Sequence, residues 1–321
     1  MNSSRFYILF IVTISFGFGA CSTKVTERAE DGQVRVEDYA STRYLIEIDQ
    51  LMTEMTTNTD LIIFDVRHPD SYKGGHIPGA INLWRPEIQS DDYEYPGMMA
   101  SIDEMKAVLS NLGCQSNSKI IMYDNQCNVD AARLWWILKH YGHEEMALVN
   151  GGLSAWKMSG LDLSTDTVVI GKSSYKFSPT QSNLLALREE VKAAIDDPNT
   201  VLIDTRTWDE YTGKHQKKHA SNGGRIPGSI WIDWVNAVNY EGDHKFKSYQ
   251  SLKEIYEAQG LHPDQLVIAY CHSGVRSAHT IFVLSQLLGF EQVKNYDGSW
   301  TEWSFHTDLP IEKDSVTSIL M

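Results

Sequence analysis

The sequence is poor in cysteine and in basic side chains, and both shortages exclude classes of protein. Its 321 residues include 4 cysteines, too few and too scattered for a disulfide framework or for a zinc site built on cysteine. The 28 Lys and Arg residues stand against 42 Asp and Glu residues, which gives a net charge of −14. So acidic a chain is a poor ligand for the phosphates of nucleic acid, and we expect no nucleic-acid partner.

Motifs that hold common cofactors and metals are also missing. The chain contains no CxxC, HExxH, GxxxxGK[ST] or GxGxxG segment. His215 and His219 have the spacing of a metal pair on a helix, but no third ligand accompanies them and lysines surround them. We therefore expect no metal site.

Long apolar runs are missing too, apart from a short one at residues 6–18 that follows Arg5. As a helix it is too short to span a hydrocarbon core of about 30 Å. It ends in small residues before Cys21, which resembles a bacterial lipoprotein signal and predicts a signal peptide at residues 1–20 with lipidation of Cys21. The alternative is ordinary secretion with an incidental Cys21. We expect a protein on the periplasmic side of the cell envelope, attached to the membrane only through this lipid.

The rest of the chain contains one unit twice. The paired segments are residues 61–67 and 201–206, 75–79 and 224–228, 120–124 and 267–271, and 150–156 and 297–303. The second copy carries an insertion at residues 214–223. The repeat predicts two domains, at residues 44–163 and 184–313. A polar spacer at residues 21–43 precedes them, and a linker at 164–183, rich in Ser and Thr, joins them.

Each copy alternates short apolar runs, which predict buried strands, with helical patterns. The predicted strands are residues 61–64, 120–123, 147–149, 266–270 and 292–295, and the predicted helices are residues 101–112, 131–141, 251–259 and 277–288. Ser101 and Glu104 have the spacing of a capping box at the start of the first of these helices. Strands that alternate with helices in this way predict an α/β fold, with a parallel sheet and helices on both faces in each copy.

The duplication separates features of the fold from candidates for chemistry. Both copies carry an Asp-x-Arg after their first long strand, Asp65 with Arg67 and Asp204 with Arg206, which predicts a structural ion pair. Both also carry an Ile-Pro-Gly turn and a terminal Trp, which we assign to turn geometry and to the core. Features present in only one copy are the candidates for function.

The copies differ at the carboxyl end of one strand, where open α/β sheets bind ligands. The first copy has Asp124 there, and the second reads CHSGVRS from Cys271 and then enters a helix. A thiolate at a helix amino terminus is stabilised by free backbone N–H groups and the helix dipole. The loop to Arg276, with Gly274 free to adopt positive φ, predicts an anion cradle around sulfur. The alternative is a buried structural cysteine whose neighbouring amides bond elsewhere.

The CHSGVR loop, the Asp-x-Arg and Ile-Pro-Gly segments and residues 295–303 together resemble the two-domain sulfurtransferases of the rhodanese family. The resemblance covers about residues 44–311. It implies two tandem rhodanese-like domains, the first catalytically silent with Asp124 in the place of the cysteine. It implies that the Cys271 thiolate takes the outer sulfur of thiosulfate as a persulfide and passes it to cyanide or a thiol, with no metal or organic cofactor.

The resemblance also implies which residues bind the small anionic donor. They are the loop residues His272, Ser273, Gly274, Val275 and Arg276, with Lys217 and Lys218 of the basic insertion at the mouth of the site. A solvated basic loop is the alternative for the two lysines. The residues of this loop resemble those of the thiosulfate enzymes more than those of the 3-mercaptopyruvate enzymes, and 3-mercaptopyruvate is the alternative donor.

One further position departs from the family. Glu210 stands where some members have a substrate-binding Arg, which argues against a donor that carries a carboxylate.

Other assignments remain open from the sequence. Cysteine phosphatases and arsenate reductases place five residues between Cys and Arg, whereas four separate Cys271 from Arg276. A tethered sulfur carrier or interaction module without turnover is the non-enzymatic alternative. Cys127 is expected to be structural, and a disulfide between Cys114 and Cys127 is not expected because a strand separates them.

Overall fold

The computed structural model describes residues 38–179 and 182–314. The predicted signal peptide, the lipidation of Cys21 and the spacer up to residue 37 lie outside these ranges. Within them, no helix has the length and apolar character that a membrane crossing requires.

The first copy folds around a parallel sheet of five strands flanked by helices, with the strand order β1-β5-β4-β2-β3. Its elements are β1 (Leu45–Ile46), α1 (Ile48–Thr57), β2 (Leu61–Asp65), α2 (Pro69–Lys73), β3 (Ile81–Asn82), α3 (Ile102–Asn111), β4 (Lys119–Tyr123), α4 (Val129–Tyr141), β5 (Met146–Val149) and α5 (Gly152–Met158). A short 3₁₀ helix, Arg85–Ile88, follows β3. β4 is the middle strand of this sheet, so the residue after it lies at the centre of the carboxyl edge. The strand is buried from its second residue onward.

The second copy repeats this architecture with the order β6-β10-β9-β7-β8. Its elements are β6 (Leu185–Ala186), α6 (Arg188–Ala194), β7 (Thr200–Asp204), α7 (Trp208–Tyr211), β8 (Ile230–Trp231), α8 (Tyr249–Glu257), β9 (Leu266–Tyr270), α9 (Val275–Phe282), β10 (Val293–Tyr296) and α10 (Ser299–Phe305). The 3₁₀ helix after β8 is Trp234–Ala237. The predicted α/β fold with two tandem domains is therefore confirmed.

The predicted strands and helices are present, and one helix differs from its prediction. Ser101 caps α3, and Ser101 and Glu104 form the expected capping box. The helix predicted at residues 277–288 instead begins at Val275 and changes to a π-helical turn at Val283–Leu287. The Ser285 hydroxyl donates to the Ile281 carbonyl at 2.7 Å, and such a bond competes with the regular helical ladder.

The Asp-x-Arg pairs are buried ion pairs, as predicted. Arg67 Nε donates to Asp65 Oδ1 at 2.8 Å, and Arg67 Nη2 donates to the Gly75 carbonyl at 2.8 Å. The Tyr123 hydroxyl donates to Asp65 at 2.7 Å and accepts from the Ile77 amide at 3.0 Å. The second copy repeats the Arg contacts with Asp204, Arg206 and Gly224. Each pair thus fastens the turn around Ile-Pro-Gly to the end of a central strand.

The two domains pack through the helices that follow the two differing loops, α4 and α9. Trp135 of α4 meets Phe282 of α9 edge to face, with ring centroids 4.9 Å apart. Arg133 of α4 forms a buried ion pair with Asp297 of the second domain at 2.5 Å. In the sequence Arg133 is a single charge on a predicted helix, so its contact with the other domain could not be predicted from the pattern.

Asp65→Ala is expected to lower the free energy of unfolding by about 3–5 kcal/mol, because it leaves the Arg67 guanidinium buried without its carboxylate. Urea denaturation followed by tryptophan fluorescence measures this loss. The control is Glu257→Ala, which breaks the exposed pair with Lys253 and should change stability by less than about 1 kcal/mol. Equal losses in the two variants would contradict a structural role for the buried pair.

Candidate functional site

Cys271 directly follows β9, the middle strand of the second sheet, and its loop leads into α9. Two backbone hydrogen bonds from α10 hold the start of this loop. The Trp300 amide donates to the Cys271 carbonyl at 3.0 Å, and the Thr301 amide donates to the His272 carbonyl at 2.9 Å. The first turn of α10 therefore fixes the start of the loop at the carboxyl edge of the sheet.

Ser299 holds the loop in place, a role that the sequence pattern alone did not indicate. Its hydroxyl oxygen accepts from the Cys271 amide at 3.1 Å and from the Gly274 amide at 3.0 Å. The matching position in the first copy is Gly152, so a comparison of the two copies contained the signal. The contact could not be recognised in the sequence because Ser299 follows a different strand.

Gly274 is required by its surroundings as well as by its backbone. Its φ is +74°, in the left-handed region that favours glycine. A Cβ there would lie 2.6 Å from Arg133 Nη1 and 2.8 Å from the Asp297 carbonyl oxygen. The first domain thus contacts the Cys271 loop directly.

The Cys271 side chain is almost fully buried, with 1% of the residue exposed, but the backbone amides of Ser273 and Ser277 are turned toward its sulfur. Burial alone would raise the pKa of the thiol. The charge of Arg276, the Ser277 hydroxyl and the backbone amides of Ser277 and Ser273 outweigh burial and lower the pKa to about 7. The site can therefore hold a sulfur anion near neutral pH, unlike an ordinary buried cysteine.

Arg276 connects the loop to an acidic partner. Its Nη1 and Nη2 donate to the two carboxylate oxygens of Glu210, at 2.7 and 2.9 Å. Burial would raise the pKa of Glu210, but the hydrogen bonds and charge of Arg276 lower it to about 2. Glu210 is therefore ionised and fully engaged, and the pair keeps the guanidinium close enough to act on the Cys271 sulfur.

The basic insertion lies beside the loop without regular secondary structure. The Lys218 carbonyl is 3.1 Å from His272 Nε2, and the exposed Lys217 is close enough for its charge to act on His272. Burial and the charge of Lys217 lower the pKa of His272 to about 4, so this ring is neutral at pH 7. His215 and His219 do not lie on a helix, and the described residues contain no group of three or more potential metal ligands.

A cavity of about 470 Å³ opens above the loop and is lined from both domains. Its lining includes Trp84, Arg85 and Pro96 from the first domain and His219, His272 and Ser273 from the second. Gly97, with φ of +104°, also lines it, and a Cβ at Gly97 would lie 2.6 Å from Ser273 Cβ. The first domain therefore forms one wall of the site, which sequence comparison of the copies did not reveal. Val275 begins α9, and the Lys217 and Lys218 side chains are exposed outside this lining.

The matching loop of the first copy already contains its own anion. Asp124 Oδ1 accepts from the amides of Gln126 and Asn128, both at 2.8 Å, and Oδ2 accepts from those of Asp130 and Ala131 at 2.8 and 3.2 Å. Burial and the charge of Asp130 raise the pKa of Asp124 to about 6, against these bonds. The carboxylate fills the centre of the cradle and leaves no place there for a second anion.

The other cysteines in the described ranges, Cys114 and Cys127, are buried and free. Burial raises the pKa of Cys114 to about 12, and burial with the charges of Asp124 and Asp243 raises that of Cys127 to about 12. Both thiols stay protonated at neutral pH and are poor nucleophiles.

Comparison with known proteins agrees with this architecture. The sequence model of the family described as the rhodanese-like domain matches residues 47–159 and 187–306. The "Putative thiosulfate sulfurtransferase" of Saccharopolyspora erythraea is 38% identical over 268 residues, 81% of this chain and 93% of its own. The protein of that name from Mycobacterium tuberculosis is 40% identical over 254 residues, 76% of this chain and 88% of its own.

Two further proteins extend the comparison. The sulfur carrier protein TtuD of Thermus thermophilus is 31% identical over 304 residues, 90% of this chain and 94% of its own. The fold also resembles the anaerobic ergothioneine biosynthesis enzyme of Chlorobium limicola, with a TM-score of 0.78 and 23% identity over 86% of this chain and 71% of that one. With both domains matched, and with relatives above 30% identity over most of its length, the chain belongs to the rhodanese family as a two-domain sulfurtransferase.

Proposed function

We propose that this sulfurtransferase moves the outer sulfur of thiosulfate to cyanide or a thiol through a persulfide on Cys271. The observation that carries the proposal is the thiol of Cys271, whose pKa is lowered to about 7 inside a loop of backbone donors. The relatives named for thiosulfate support the choice of donor.

In the first half-reaction the Cys271 thiolate attacks the outer sulfur of thiosulfate. A bond forms between the two sulfurs, the bond between the outer and central sulfur breaks, and its electron pair leaves with sulfite. The product on the protein is a Cys271 persulfide anion. Because the amides of Ser273 and Ser277 point at this sulfur, they stabilise the negative charge before and after transfer, and no separate base is needed.

In the second half-reaction the acceptor attacks the terminal sulfur. Cyanide leaves as thiocyanate, or a thiol leaves as a persulfide, and the electron pair of the broken bond returns to the Cys271 thiolate. The family supports this sequence of steps. His272, Gly274, Val275 and Arg276 shape the anion site, with Lys217 and Lys218 as exposed charges that attract the donor.

Two alternatives differ in the donor or in turnover. 3-Mercaptopyruvate carries a carboxylate, and the Glu210 position, where some family members have a substrate-binding Arg, holds an acid paired with Arg276 and offers that group no cation. A sulfur carrier would accept sulfur from a partner protein, and the relative from Thermus thermophilus is named for that role. The lowered pKa of Cys271 serves either role, so the donor assay decides between them.

With thiosulfate and cyanide, Cys271→Ala should lower the rate of thiocyanate formation by more than about 10³-fold, because it removes the nucleophile. Thiosulfate alone should add one sulfur atom to the mass of the wild-type protein, and cyanide should remove it.

The matched control is Cys127→Ala, which should keep the wild-type rate because that thiol is protonated. Equal rates in wild type and Cys271→Ala would contradict the mechanism. Turnover of 3-mercaptopyruvate with a thiol, without turnover of thiosulfate, would overturn the donor. Persulfide taken only from polysulfide, with no turnover of either donor, would favour the carrier.

The rate of Cys271 alkylation by iodoacetamide should rise with pH and level off with a midpoint near 7, because only the thiolate reacts and its pKa is about 7. Ser277→Ala should move the midpoint upward, since it removes a hydroxyl that favours the thiolate. A midpoint near 9, the ordinary value of a thiol, would contradict the role assigned to the loop.

We also propose that the protein is anchored in the cell envelope through lipid on Cys21, on the support of the amino-terminal sequence alone. In a bacterial host, the wild type should incorporate labelled palmitate and enter the detergent phase of a Triton X-114 separation. Cys21→Ala should do neither. Equal labelling of the two proteins would refute the anchor.

A further inference from the structure

Arg85 is a partly buried cation from the first domain that forms no close ion pair with a carboxylate in the described part of the chain, although the charge of Asp130, which lines the same cavity, acts on it. It begins the 3₁₀ helix after β3, and its Nη2 donates to the Ser273 hydroxyl in the Cys271 loop at 2.7 Å. Its Nε is buried and has no hydrogen-bond partner. Every other arginine around this site is paired with a carboxylate: Arg276 with Glu210, and Arg133 with Asp297. A largely buried guanidinium without a hydrogen-bonded anion is unfavourable, so a ligand that supplies one is favoured here.

Arg85 also lies at the place where such a ligand would enter. It lines the cavity above the loop together with His272 and Ser273. Burial lowers the pKa of Arg85, opposed by the charge of Asp130 and by that of the Cys271 thiolate, so the guanidinium and the sulfur are close enough to interact. An arginine keeps its charge under these conditions.

The matching position in the second copy is Trp234, which packs against His279 at 5.2 Å between ring centroids. The arginine therefore belongs to one copy only, and it is the copy without the nucleophile. A residue needed for the shared fold would be expected in both copies. Its position against the partner domain's loop points to a role in the Cys271 site.

We propose that Arg85 binds the oxyanion end of the sulfur donor and the sulfite that leaves it, so that the catalytically silent domain supplies half of the donor site. The inference rests on the proposed function. Cys271 attacks the outer sulfur from the loop, while the guanidinium hydrogens of Arg85 that do not bond Ser273 hold the SO₃ group. As the sulfur–sulfur bond breaks, its electron pair moves onto sulfite, and the arginine stabilises the developing charge.

This role affects only the first half-reaction, because neither cyanide nor the persulfide carries the SO₃ group that Arg85 binds. Arg85→Gln should lower kcat/KM for thiosulfate about 10- to 100-fold and leave kcat/KM for cyanide unchanged. Arg85→Lys keeps the charge but not the planar guanidinium, and its kcat/KM for thiosulfate should lie between those of wild type and Arg85→Gln. The control is Arg43→Gln, which removes an equal charge from an exposed arginine paired with Glu144 and should change neither constant.

A binding measurement separates failure of this inference from failure of the proposed function. Sulfite should slow the alkylation of reduced Cys271 by iodoacetamide, and Arg85→Gln should need about 10- to 100-fold more sulfite for equal protection. Protection that depends on Arg85 in a protein without thiosulfate turnover would overturn the donor and keep the anion site. Turnover with equal sulfite protection in both proteins, or equal falls in both kcat/KM values, would overturn the role of Arg85.

Discussion

A ring of backbone N–H groups around one negative charge, at the end of the middle strand of a parallel sheet, is the constraint on which both domains depend. In the first domain the charge is the Asp124 carboxylate, which four amides bind. In the second it is the Cys271 sulfur, with the amides of Ser273 and Ser277 turned toward it. Both oxygens of the Asp124 carboxylate accept from these amides, whereas Cys271 presents a single sulfur to its loop. This difference in chemistry separates a loop whose amides bind their own carboxylate from a loop that holds a thiol with a lowered pKa.

The packing of the two domains also brings residues of both to one site. Arg133, from the helix after the Asp124 loop, donates to the Gly274 carbonyl at 3.2 Å and pairs with Asp297. Gly97 comes so close to Ser273 that no side chain fits between them. The first domain, which has Asp124 where the second has Cys271, therefore forms one wall of the site in the second domain and supports its loop.

Much of the fold was readable from the chain because it depends on local pattern. Apolar runs of four or five residues predicted the buried strands, and Ser101 with Glu104 predicted a helix start that the structure has. The Asp-x-Arg pairs were readable because both copies carry them. The end of α9 was not predicted, since apolar periodicity does not distinguish the π-helical turn at Val283–Leu287 from a continuing α-helix.

The sequence by itself determined the repeat, the parallel sheets and the position of Cys271 at a strand end, because strand alternation and the difference between copies are local properties. Only the tertiary structure decided which groups surround that sulfur. Ser299 anchors the loop from 28 residues away, and Arg85 reaches Ser273 across 188 residues of chain. No spacing rule links such positions, since their approach depends on how two sheets and two helices pack. The same packing buries Cys271 and still leaves its thiol with a lowered pKa, a balance of burial against nearby charge that exists only in the folded protein.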